Sequence, residues 1–107
     1  MNKSLRLMWK SESGESYSVG KLSCKGEKYY FQYNIEETKK AAAEGFNPME
    51  GFPKLNVKYF KEELFSTFQN WLGDKPNGDM EAVERLKQIS INGFSFENEN
   101  FVNESAI

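Results

Sequence analysis

Apolar and polar positions alternate through the first third of the chain. Leu5, Leu7 and Trp9 alternate with Arg6, Met8 and Lys10, the period-two pattern of a strand with one apolar face. A polar turn with one glycine spans 11–16. Tyr17 and Val19 resume the alternation, but Leu22 and Cys24 fall on the other parity. Gly20 sits at the change of phase, which predicts a bulge. A tight connection at 25–28 precedes a third run, Tyr29, Phe31 and Tyr33. Short runs joined by polar turns predict an antiparallel meander.

A helical period takes over at 59–72. Phe60, Leu64, Phe65, Phe68, Trp71 and Leu72 merge into one apolar stripe, and Gly73 offers a left-handed stop. Two or three strands alone are marginal, so this helix is expected to cover the meander. Asn34 with Glu37 has capping-box spacing and opens a short helix that ends near Gly45. Its apolar face is thin, which places it at the surface. Asp79 is expected to cap a further helix over 79–88, with Met80, Val83 and Leu86 on its weak apolar face. Asn92-Gly93 between alternating apolar residues predicts a hairpin over 89–96, with Ile91 opposite Phe94 and Ile89 opposite Phe96. The fold class is α+β: a small antiparallel meander packed on the 59–72 helix, with a C-terminal helix and hairpin. One domain is expected over 1–96. An acidic tail over 97–107 follows, expected to fray unless Phe101, Val102 and Ile107 dock on the domain.

The stretch 46–55 holds two prolines and a glycine, which exclude a long helix or a central strand. It still carries Phe46, Met49, Phe52 and Leu55. A loop this apolar either covers the core or docks a partner. The docking alternative makes Phe46, Met49, Phe52 and Tyr30 the candidate partner-binding residues.

Composition narrows the function more than it names it. The chain of 107 residues suits one core. Its formal net charge of −2 argues against a general nucleic-acid binder, which carries a basic excess. Lys21, Lys25 and Lys28 do interleave with Tyr17, Tyr29 and Tyr30. That pattern fits a single-strand-binding surface or, more simply, a solvated strand face interrupted by Glu15 and Glu27. The chain has no histidine, so histidine-dependent triads, histidine acid–base catalysis and histidine metal sites are excluded, and only scattered carboxylates could bind a metal. Cys24 is the only cysteine; with no histidine to activate it, it reads as a small core residue rather than a nucleophile. Glu36/Glu37 and Glu62/Glu63 are adjacent and diverge on a helix, so neither is an acid–base pair. No phosphate-binding glycine loop or calcium-loop spacing occurs. The expectation is a non-enzymatic protein without cofactor or metal. The N-terminus has no signal-peptide pattern, and no stretch approaches the ~20 apolar residues that span a membrane. A cytoplasmic location is expected, and the two Asn-x-Ser matches at Asn2 and Asn103 are read as chance.

Leu5 to Trp9, Val19-Gly20-Lys21-Leu22, Phe31-Gln32-Tyr33, Gly45-Phe46, Phe52-Pro53 and the run from Glu63 to Asn70 stand in a recurrent order. Over about residues 5–72 the chain resembles the N-terminal subdomain of HipA-type proteins. Val19, Gly20, Leu22, Phe31, Tyr33, Phe65, Phe68, Asn70 and Leu72 are the matching positions. The family continues its helix into Leu-Pro, whereas Trp71-Leu72-Gly73-Asp74 stands here. In that family the module precedes a Ser/Thr kinase core or, as a separate small protein, restrains the toxin kinase. No kinase core is present, so the resemblance implies a stand-alone module that regulates a HipA-like kinase. The alternative is a small phage or mobile-element protein that inhibits a host defence protein or nuclease by binding it.

Overall fold

The computed structural model describes residues 2–99. Among these residues six antiparallel strands form one sheet in the order β4-β3-β2-β1-β6-β5. They are β1 (Asn2–Lys10), β2 (Ser16–Lys25), β3 (Lys28–Tyr33), β4 (Lys58–Lys61), β5 (Ser90–Ile91) and β6 (Phe94–Asn98). Three short helices, α1 (Ile35–Ala42), α2 (Ser66–Leu72) and α3 (Asp79–Leu86), complete the α+β domain.

The meander forms as the alternation predicts. Leu7 pairs with Gly20 and Met8 with Ser18, so Val19 is the extra residue of a bulge. The bulge corrects the parity, and Val19, Leu22 and Cys24 are all buried. Val19 also accepts the Asn34 amide at 2.9 Å, and the Ser18 amide donates to Glu37 at 3.2 Å, which ties the bulge to the start of α1. A side chain at Gly20 would begin 2.6 Å from Phe31 Cζ; the missing Cβ is what lets Phe31 lie flat on the sheet. Asn34 caps α1 by accepting the Glu37 amide at 3.1 Å. The hairpin also forms, with Ile91 paired to Phe94 and positive φ at both Asn92 and Gly93, the primed-turn geometry that matches strand twist.

Three expectations change. First, 59–72 is not one helix: Lys58–Lys61 is a strand on β3, and the helix begins only at Ser66. Lys58-Tyr-Phe-Lys61 alternates with period two as well, and the open edge of β3 supplies backbone partners that a free helix end lacks. Phe60, placed in the apolar stripe by the helical reading, is instead 50% exposed. Second, Asp79 does not cap α3. Gly78 occupies the cap without a side-chain bond, and the Asp79 carboxylate accepts the Tyr29 hydroxyl instead. Third, the domain does not end at 96. Glu97 and Asn98 belong to β6, Arg6 pairs with Glu97 at 2.8 Å, and Lys21 pairs with Glu99 at 3.3 Å. Phe101, Val102 and Ile107 lie outside the described residues.

All three helices and the 46–55 loop lie on one face of the sheet. Phe31, Phe52 and Phe68 are fully buried at the centre of a continuous aromatic cluster. The Tyr33 hydroxyl holds the loop down: it accepts the Met49 amide at 2.9 Å and donates to the Phe52 carbonyl at 2.8 Å. Arg85 fixes the segment after Gly73 by donating to the Leu72 carbonyl, Asp74 and Glu81. Among the described residues no helix is long and apolar enough to cross a membrane.

Burial pushes the Tyr33 hydroxyl up to about 12. The folded state therefore favours the protonated phenol. Its contribution is intact below the unfolded value of about 10 and is lost as pH rises from there through about 12. Denaturant melts across that range should show stability falling with pH, with a shallower slope in Tyr33→Phe.

Candidate binding surface

Paired residues in an antiparallel ladder share a face, so the register defines the uncovered side of the sheet row by row. One row runs Phe60, Tyr30, Ser23, Ser4. The row on one side runs Lys58, Gln32, Lys21, Arg6, Glu97, and on the other side lie Lys28 and Lys25. An aromatic row thus lies between basic rows. Arg6 and Lys21 are neutralised by Glu97 and Glu99. Lys25, Lys28 and Lys58 form no ion pair among the described residues. The corner β4-β3-β2 is therefore positive in a chain whose net charge is −2.

The two aromatics touch, with ring centroids 5.3 Å apart and planes tilted by 40°. Lys58 and Lys25 sit over Tyr30 at 5.2 and 5.9 Å, and Lys28 sits over Phe60 at 5.9 Å. Such cation–π contacts at exposed sites contribute about 0.5–1 kcal/mol; they hold the lysines over an apolar platform without discharging them.

The expected site residues divide between the two faces. Tyr30 stays on the surface. Phe46, Met49 and Phe52 are 5%, 7% and 1% exposed and point into the core, so the loop is core cover and offers none of them to a partner. The physical reason is the Tyr33 clamp together with the Phe31 ring, 4.6 Å from Phe52. The tyrosine–lysine pattern also splits. Tyr17 packs against Trp9 and Tyr29 is buried, leaving only Tyr30 with Lys25 and Lys28. Phe60 and Lys58 complete the patch. The alternation across Lys58–Lys61 was the signal for them, masked by a helical stripe that begins in the same residues.

A groove of about 720 Å³ opens on the covered side, between the 25–28 turn, the start of α2 and the start of α3. Glu27, Glu62, Glu63 and Asp79 line it together with Lys61 and Lys75. Among the described residues no group of three or more such ligands is placed to hold a metal ion. Burial, then the bond to Asp79, raises the Tyr29 hydroxyl far above its ordinary value, so it stays a proton donor. Burial also raises the Cys24 thiol, with the Asp79 charge adding to it, which disfavours the reactive thiolate.

Cys24 faces the core side, away from the patch. Cys24→Ser should therefore leave surface binding unchanged and lower stability by about 1 kcal/mol, since a more strongly hydrated hydroxyl replaces a buried thiol, and among the described residues the Gly26 carbonyl is the acceptor placed for it. Thiol-reagent labelling of the native protein should be slow and should accelerate with denaturant. Fast native labelling would place Cys24 at the surface.

No family model, curated protein or solved structure matches the chain.

Proposed function

We propose that this chain is a non-enzymatic binding module that regulates a protein partner through the uncovered face of its sheet. The observation that carries the reading is the Phe60–Tyr30 pair, with Phe60 half exposed and Tyr30 partly so, surrounded by Lys25, Lys28 and Lys58. Half-exposed aromatics with unneutralised cations are the residue types that anchor an interface and steer its approach. The resemblance to the HipA N-terminal subdomain suggests the partner: a HipA-like Ser/Thr kinase toxin, restrained in the cytoplasm as part of a toxin–antitoxin pair. Inhibition of a host defence protein or nuclease is the same reading with another partner.

The direct test is to titrate the purified chain against a HipA-type kinase from the same genome while following kinase activity. The wild-type chain is expected to restrain the kinase, and Phe60→Ser to lose most of that restraint at an unchanged melting temperature. Equal restraint by Phe60→Ser would remove the sheet face from the account.

One observation favours a second reading. Aromatics beside lysines on an open antiparallel sheet also suit single-stranded nucleic acid, with bases on the rings and phosphates on the amines. Against it, each ring already has a lysine over it, and the patch offers only three cations, Lys25, Lys28 and Lys58, without an ion pair among the described residues. Anisotropy with labelled oligothymidylate separates the readings: three phosphate contacts on a single strand give a slope of about −2 for log affinity against log salt.

A further inference from the structure

The uncovered face ends at a strand with an open edge. Among the described strands β4 has one neighbour, β3, so the backbone groups on its other side face outward. Such an edge is a template for a further strand. The edge is short and begins and ends in lysine, Lys58 and Lys61, a usual protection against unwanted pairing. Protection by lysine is selective, however. It repels basic strands, penalises apolar ones that would desolvate the ammonium groups, and admits a strand that brings negative charge.

We propose that β4 takes up an extended acidic segment of the partner protein as a seventh strand. This deepens the protein-binding reading and rests on it. The register sets the chemistry of the occupant. A residue opposite Phe60 points to the uncovered face and meets an aromatic ring that is 50% exposed. A residue two positions along, opposite Lys58, points the same way and meets an ammonium group. Lys28 and Lys25 lie beyond on the same face. The matching sequence therefore carries an apolar or aromatic side chain and an acidic one two residues apart, on the same side of an extended strand. Lys25, Lys28 and Lys58, which form no ion pair among the described residues, supply the complementarity in a chain of net charge −2. A second copy of this chain fits less well, because edge-to-edge pairing would bring another lysine triplet onto the same face.

The test uses the full chain and labelled synthetic peptides of about six residues, a typical strand length. One peptide alternates phenylalanine and glutamate with threonine between them. A second has the same composition with the acids and the aromatics in separate blocks. A third replaces glutamate by lysine. The alternating acidic peptide is expected to bind best. Phe60→Ser should weaken it about tenfold or more, and Lys58→Glu should transfer preference to the lysine peptide. N-methylating one alternate set of its amides should abolish binding, while methylating the other set should not, because only one set faces β4. Phe60 and Lys58 are exposed, so both variants are expected to fold; unchanged amide spectra verify this. Equal binding of the blocked-order peptide, indifference to N-methylation, oligothymidylate binding in place of peptide, or concentration-dependent dimers of the chain alone would each overturn strand addition. Kinase restraint that persists in such a case, and is lost in Phe60→Ser, would leave the protein-binding reading in place without the β4 strand.

Discussion

Phe68→Ala is expected to lower the free energy of unfolding by about 3–5 kcal/mol. Phe68 is fully buried and is the only buried residue of α2. Its ring contacts Phe31, Phe52, Phe65, Trp71 and Phe96, with centroids 5.2–6.2 Å apart. These neighbours come from β3, the loop, the approach to α2, α2 itself and β6, so no single element can move to fill the space. A seven-residue helix without a side-chain cap is too short to persist without packing. Truncation therefore removes transfer free energy, leaves a cavity and weakens the helix together. Urea melts measure the loss; a change below about 1 kcal/mol would place Phe68 outside the core.

Replacing Met49 and Phe52 together by serine should be comparably damaging. Phe52 is 1% exposed and stacks on Phe68 at 5.3 Å. The change would bury two hydroxyls and empty a site between Phe31, Tyr59 and Phe65. A loss of about 3–5 kcal/mol is expected, as for other large core truncations. Because Phe52 and Phe68 touch, their effects should not add, and a double-mutant cycle should report coupling of about 0.5–3 kcal/mol. Any loss of partner binding in this variant should track unfolding. A nearly unchanged melting temperature with binding abolished would instead return the loop to the interface.

The parts legible in the sequence are those where one period acts alone. Leu5, Leu7 and Trp9, the phase change at Gly20, the Asn34 cap and the Asn92-Gly93 turn each have a local cause and are found as expected. The 59–72 stretch defeats a single-period reading because two periods overlap in it. Leu64, Phe65, Phe68, Trp71 and Leu72 all pack on the core, as the stripe requires, but Tyr59 and Phe60 obey the ladder with Phe31 and Tyr30. That choice is made by β3, a partner more than twenty-five residues away in the chain, and no local pattern contains it. The candidate surface was half legible for the same reason. Tyr30, Lys25 and Lys28 could be read from β3 and the turn before it, whereas Phe60 and Lys58 join them only through the pairing of β4. The loop was undecidable locally, since Phe46, Met49 and Phe52 suit a core and an interface equally. The Tyr33 hydroxyl decides it, through two backbone bonds that sequence spacing does not reveal.

The central claim is that partners meet the uncovered sheet face. Amide chemical-shift mapping of the isotope-labelled chain on addition of the proposed partner, a HipA-type kinase, tests it most directly. The account predicts that changes concentrate on β4, β3 and the neighbouring part of β2, around Phe60, Tyr30, Lys28 and Lys58. Changes confined to α1, α3 and the 46–55 loop, with β4 silent, would contradict it.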